Sequence, residues 1–161
     1  MIFPLGMNGS IRLKIAHYSP SLTSTVNSRI EQMLDDADAS SASLDGDKVC
    51  FTSGFFRPVG SWNILGPFGS GKIWAEMKGV DTLVVRYRLS TVQLFVTVTG
   101  VLGALAIFLL FVSGSSEPGK TLQSLGIGWA WLFGANYVTG LIRFPSWLRR
   151  GILEVPELTN R

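Results

Sequence analysis

The sequence predicts an α+β membrane protein: a small N-terminal β-α-β-β-β domain followed by a two-helix transmembrane hairpin. Three patterns predict it. Two windows carry no charge, 28 residues between Arg88 and Glu117 and 22 between Lys120 and Arg143. The stretches "IRLKIAHY" and "DTLVVRYRLS" alternate apolar and polar residues, as half-buried strands do. Leu22, Val26, Ile30, Met33, Leu34 and Ala37 recur at helical spacing.

The elements follow in chain order. "MIFPLGMNGSIRLK" has no charged n-region and no long apolar run before its first Arg, so the first span is expected to act as the insertion signal. "IRLKIAHY" is the first strand, with Ile11, Leu13 and Ile15 set against Arg12 and Lys14. Ser19-Pro20 offers a cap and a first-turn proline for an amphipathic helix over about residues 20–37. A small-residue acidic segment, residues 37–47, reads as a mobile loop. "KVCFTSGFF" is the second strand and "KIWAEMKG" the third. Gly79 with Val80-Asp81 suits a tight turn into the fourth, "DTLVVRYRLS". That strand puts Leu83, Val85, Tyr87 and Leu89 on one side. Residues 1–90 thus form an antiparallel sheet covered on one face by one helix.

The charge-free windows hold the spans. Charged residues make up only 16% of the chain, against about 25% in an ordinary soluble domain. About 20 apolar residues cross the hydrocarbon core as a helix. The spans are expected near 92–112 and 122–142, giving a hairpin over 91–150 and a C-terminal tail over 151–161. Such a hairpin leaves no backbone group unpaired in lipid. Pro145 is expected to end or bend the second helix, and Trp147 to sit at the headgroup boundary.

Basic residues set the orientation. Lys72, Lys78, Arg86 and Arg88 precede the first span, and Arg143, Arg149 and Arg150 follow the second. The turn between the spans offers only Lys120 beside Glu117. Both termini are therefore expected in the cytoplasm of a bacterial cell, with the protein in the inner membrane. Arg86, Arg88, Arg143, Arg149 and Arg150 are the residues expected at the membrane surface, where each adds about 1 kcal/mol of attraction to an anionic leaflet. Glu31, Asp35, Asp36, Asp38, Asp45 and Asp47 concentrate the acids in one segment, read as a solvated patch. No basic run interleaves with aromatics, so nucleic acid is not an expected partner.

"LGPFGSGKIW" has Gly66, Gly71 and Lys72 at the spacing of a phosphate-binding loop. The residue after Lys72 is Ile73, so the hydroxyl that would hold magnesium is missing. Ile73, Ala75 and Met77 alternate with Trp74, Glu76 and Lys78, which is strand periodicity where the loop needs a helix. The stretch is expected to be a connection between strands. Other chemistry is equally thin. His17 is the only histidine and Cys50 the only cysteine, so no metal cluster, disulfide or cofactor site is expected. The chain is not expected to be an enzyme.

Interfaces are the remaining signal. Gly100 and Ala104 in the first span, and Gly126, Ala130 and Gly134 in the second, sit four apart and permit close helix packing. Asn136 is expected to hydrogen-bond to a neighbouring helix. These stripes serve either the hairpin itself or docking on a larger complex. Phe55, Phe56, Trp62 and Trp74 are candidates for a partner surface, although most are expected in the domain's own core. The expected function is a non-catalytic accessory, assembly or scaffolding subunit, in contact with the lipid bilayer and other membrane subunits. The alternative is a membrane-embedded immunity or protective binding protein. A nucleotide-binding enzyme ranks last.

Overall fold

Five strands, one more than expected, make the sheet. The computed structural model describes residues 5–15, 19–54, 64–79, 81–112, 118–155 and 158. In chain order these form β1 (Gly6–Lys14), α1 (Leu22–Asp36), β2 (Ser41–Asp45), β3 (Lys48–Thr52), β4 (Ser70–Met77), β5 (Thr82–Ser90), α2 (Val92–Ile107) and α3 (Pro118–Leu153). The last turns of α2 widen into a π-helix over Phe108–Val112. The sheet is antiparallel throughout, in the order β1-β5-β4-β3-β2. The fold is α+β.

The extra strand corrects the loop expected over 37–47. α1 stops in a hydrogen-bonded turn in which Asp38 takes a φ of 59°. The Asp38 N–H donates to the Asp35 carbonyl and the Ala39 N–H to the Leu34 carbonyl. This is a Schellman C-cap, and it redirects the chain at once into β2. Asp45 then pairs with Lys48 across the two-residue turn Gly46-Asp47. Gly46 alone of the two has positive φ, at 64°, the pattern of a type II′ hairpin turn. The start of α1 also differs from expectation: Ser21, not Ser19, stands at the N-cap.

One face of the sheet is apolar and buried. In register, Ile11 meets Val85, Val85 meets Ala75, and Leu83 lies between Leu13 and Met77. α1 covers the β2-β3-β4 side with Leu22, Val26, Ile30 and Leu34, none more than 1% exposed. β3 begins at Lys48, so the Ala75 N–H of β4 extends past the end of its neighbour. The buried Asn27 on α1 accepts from that N–H at 3.1 Å and donates to the Asp47 carbonyl at 3.0 Å. One side chain thus satisfies two backbone groups that the short hairpin leaves over.

The β1 side of the same face is covered by the lower half of α3. Phe144, Leu148 and Ile152 are fully buried and belong to the same core as the sheet. The core therefore draws on residues well beyond position 90. Pro145 does not end α3, which runs on to Leu153, so the first of the two outcomes expected at this proline is not met. Proline removes one helical hydrogen bond and costs about 3 kcal/mol in a helix interior. Burial of Phe144, Leu148 and Ile152 at about 1.5–3 kcal/mol each more than offsets that cost.

α2 starts two residues after β5 ends, and the joint is held on several sides. Thr91 is fully buried, and its N–H donates to the Leu5 carbonyl at 3.1 Å. The Gly69 N–H donates to the Ser90 carbonyl, and Gln93 Nε2 to the Gly54 carbonyl. Two stretches of helix, Val92–Phe111 and α3, are long and apolar enough to cross a membrane. They meet through aromatics. Trp129 Nε1 donates to Thr99 Oγ1 at 3.0 Å, and the Phe95 ring meets Trp129 and Phe133 edge-on at 5.7 and 5.9 Å.

Candidate interaction surface

Among the described residues no helix covers the second face of the sheet, and alternation fills it mostly with polar side chains, with Val84 buried among them. Its residues fall in rows fixed by the strand register. One row runs Ser10, Arg86, Trp74, Lys48, Asp45. The next, one step nearer α2, runs Asn8, Arg88, Lys72, Cys50, Ser43. Arg12, Val84 and Glu76 make a third row on the far side, and Lys14 stands beyond it opposite Thr82. Neighbouring strands lie about 4.8 Å apart and successive rows about 7 Å apart. The cations therefore form one field and not scattered points.

That field is strongly positive. Arg12, Lys14, Lys48, Lys72, Arg86 and Arg88 are all exposed, against the carboxylates of Glu76 and Asp45. One face thus carries more net positive charge than the whole chain, whose formal charge is +3. Arg86 is paired with Glu76, and Lys48 Nζ sits 5.6 Å from the centre of the Trp74 ring. Trp74 is half-buried in the middle of this face. It is the one expected partner-surface aromatic that the structure describes there. Phe55, Phe56 and Trp62 lie outside the described residues, as does His17.

The loop-like motif at Gly66–Lys72 resolves into a turn and a strand. The Phe68 N–H closes the turn on the Leu65 carbonyl, and both of these side chains are buried. Gly71 and Lys72 belong to β4, and no helix follows them. A Cβ on Gly71 would lie 2.5 Å from Phe51 Cε1 and 2.6 Å from Leu89 Cδ2. The glycine is there because two core side chains meet over its backbone. Lys72 points from the opposite face, into the basic field.

The small-residue stripes do not hold the hairpin together. A Cβ added at Gly100, Gly126 or Gly134 would meet nothing within 4 Å. Gly100, Ala104, Gly126 and Ala130 are exposed, and Gly134 is half-buried. Within this chain the helices meet through Phe95, Trp129 and Phe133 instead. Asn136 is exposed, and its Nδ2 donates to the Leu132 carbonyl of its own helix at 2.7 Å. The expected bond to a neighbouring helix is not made within the chain.

The remaining basic residues separate. Arg86 and Arg88 join the sheet face, whereas Arg143 and Arg150 line a groove between α1 and α3, and Arg149 is exposed. Sequence reasoning missed Arg12, Lys14 and Lys48 as members of one surface. Alternation set Arg12 and Lys14 on the polar side of their strand, but only the strand order puts Lys48 on the same surface. Burial pushes the Tyr87 phenol above its usual 10.0 on the covered face. Among the described residues no group of three or more His, Cys, Asp or Glu is placed to hold a metal. No protein-family model matches the chain, and neither a curated protein nor a solved structure matches it.

Proposed function

We propose that this protein is a non-catalytic accessory subunit of a larger bacterial inner-membrane complex. Its hairpin spans the bilayer and its sheet holds an acidic partner surface in the cytoplasm. The single observation that carries this reading is the joint between the two parts. The lower half of α3 is built into the sheet's core, so the open basic face is presented at a fixed angle to the helices.

The helices themselves support the membrane part. Val101, Ile107, Phe111, Ile127, Trp131 and Ile142 are each more than 60% exposed. An apolar surface of this extent needs lipid or protein around it. Arg86, Arg88, Arg143, Arg149 and Arg150 flank the ends of the helices that meet the sheet domain, which favours that side as cytoplasmic. The uncovered stripes on α2 and α3 leave room for helices of other subunits.

The test is purification in mild detergent, with Lys72→Glu/Arg88→Glu in parallel. A subunit co-purifies with its complex at fixed stoichiometry, and the double charge reversal releases it. A protein that purifies alone and gains a partner only when a toxin is added has the protective role instead. Alkaline-phosphatase fusions are expected to be silent at Arg161 and active at Ser115. The opposite pattern refutes the orientation.

A further inference from the structure

β1 is an open edge of the sheet. In the order β1-β5-β4-β3-β2 only β5 lies beside it. Its register with β5 runs from Gly6 to Lys14 without a bulge, and no proline interrupts it. Its nine residues make an edge about 30 Å long, where strands average about 5–6 residues. The other edge strand, β2, has five residues. Native sheets blunt their edges by shortness, bulges or prolines, and β1 uses none of these.

Register fixes which backbone groups of β1 are open. The Thr91 N–H donates to the Leu5 carbonyl at one end of the pairing, and the Ile15 N–H to the Asp81 carbonyl at the other. Both are hydrogen-bonded pairs of the antiparallel ladder, so the odd-numbered residues of β1 turn their N–H and C=O groups toward β5. Asn8, Ser10, Arg12 and Lys14 turn theirs outward. Among the described residues no other segment hydrogen-bonds to these outward groups. The four side chains are exposed on the basic face. Met7, Ile11 and Leu13, on the other face, are buried in the core, so the strand is held firmly up to its outer edge.

Charge selects the strand that fits this edge. Among the described residues neither Arg12 nor Lys14 is in an ion pair. Arg88, one strand in from Asn8, is in none either. In an added strand the side chains directly opposite Arg12 and Lys14 stand about 5 Å away on the same face. Opposite charges there stabilise the pairing, and like charges oppose it. A second copy of the chain brings its own Arg12 and Lys14 to the edge, which disfavours self-pairing. We propose that β1 accepts, as a sixth and antiparallel strand, an extended acidic segment of a partner subunit with Asp or Glu at alternate positions. Main-chain hydrogen bonds along Asn8–Lys14 supply the affinity, and Arg12, Lys14 and Arg88 select the sign of charge. The proposal rests on the reading of the basic face as the docking surface of an acidic partner.

The experiment uses the full-length protein in detergent micelles and three synthetic nine-residue peptides. One alternates Glu and Val, one alternates Lys and Val, and the third is the Glu peptide with its Glu amides N-methylated. Binding is read by fluorescence anisotropy, and amide exchange in the protein is resolved to single residues. The Glu peptide is expected to bind and to slow exchange at Asn8, Ser10, Arg12 and Lys14, whose N–H groups are open in the free protein. The Lys peptide and the methylated peptide are expected to bind at least about tenfold more weakly. Arg12→Glu/Lys14→Glu is expected to reverse the preference between the Glu and Lys peptides. Ser10→Pro removes one outward N–H and no bond to β5, so it is expected to keep the thermal midpoint and lose the Glu peptide. Should that variant not fold, the methylated peptide decides the same point on the wild type. Equal binding of the methylated peptide means that charge alone holds the probe, and it overturns the proposal. So does binding without protection at those four amides, or no binding at all. Protection that grows with protein concentration in the absence of peptide assigns the edge to a second copy and overturns the acidic partner. Co-purification from membranes is measured alongside. A complex kept by Ser10→Pro and lost by Lys72→Glu/Arg88→Glu refutes the added strand and leaves the basic docking face standing, whereas a complex kept by both refutes that face as well.

Discussion

Phe144 is the residue through which α3 grips the sheet domain, and Phe144→Ala is the most informative single change. Its ring is fully buried. It meets Phe68 and Tyr87 edge-on, each at 5.3 Å between ring centres, and Trp147 at 5.5 Å. Truncating a buried Phe to Ala costs about 3–5 kcal/mol, from lost transfer energy and the cavity left behind. Two edge-to-face pairs at about 0.5–1.5 kcal/mol each make up part of that sum. Phe144→Leu keeps an apolar side chain and loses those pairs, so about 1–3 kcal/mol is expected for it. A domain has about 5–15 kcal/mol in hand, so the alanine variant folds but opens more often. At 1.4 kcal/mol per tenfold, the open population rises about 10²–10⁴-fold. Amide hydrogen exchange in micelles reads this directly. Exchange is expected to quicken in β1, β5 and the turns of α3 from Phe144 to Ile152. The Phe95–Trp129 contact of the hairpin lies outside that core and should keep its protection. Wild-type exchange rates in the alanine variant would refute the claim that α3 belongs to the domain's core.

Three further outcomes are expected. The folded state holds the proton on Tyr87 above its ordinary 10.0 because burial disfavours the phenolate. Its contribution is thus fully present below about pH 10 and lost as pH rises toward the folded value, so Tyr87→Phe should flatten the alkaline fall in unfolding midpoint. Gly71→Val drives a side chain into Phe51 and Leu89, and overpacking of this kind costs about 1–3 kcal/mol. A thermal midpoint lowered by about 4 °C or more would show it, and an unchanged one would mean that the strand contact is looser than described. Gly134→Leu adds bulk where this chain offers no obstacle, so the hairpin should insert at wild-type abundance while co-purification of partner subunits falls. Phe108→Leu should leave both readouts unchanged, and retention of the partner by the glycine variant would make the second helix a mere anchor.

What the sequence disclosed follows from which forces are local. Strand alternation in β1, β4 and β5 and the helical spacing of Leu22, Val26, Ile30 and Leu34 are local, and each placed its inward face correctly. β2 was hidden because Ser41, Ala42 and Ser43 have little strand propensity and are held by pairing to β3. Its turn was legible, since Gly46-Asp47 is a two-residue hairpin signal of the Gly-first kind. The lower half of α3 was masked by Pro145, whose local cost is overridden by distant packing on Phe68 and Tyr87. The recurrence of Phe144, Leu148 and Ile152 at every fourth residue was the available clue. The basic face and the groove depend on strand order and helix crossing, which no local pattern contains. Arg12 and Lys48 lie in different parts of the chain and share a surface only because β5 and β4 come between their strands.

The short joint between β5 and α2 has a consequence for binding. A domain on a flexible tether tumbles, and a partner that captures it must halt that motion. Freezing translation and rotation is a large opposing term in association, estimated at about 4–15 kcal/mol. Here the chain leaves the sheet through the buried Thr91 and returns to it through Phe144. With both helices in a bilayer, the domain has already lost most of its rotational freedom before any partner arrives. Encounters are confined to a plane, and the basic face keeps one bearing within it. Weak charge contacts on Arg88 and Lys72 could then support an association that would fail for the same sheet free in solution.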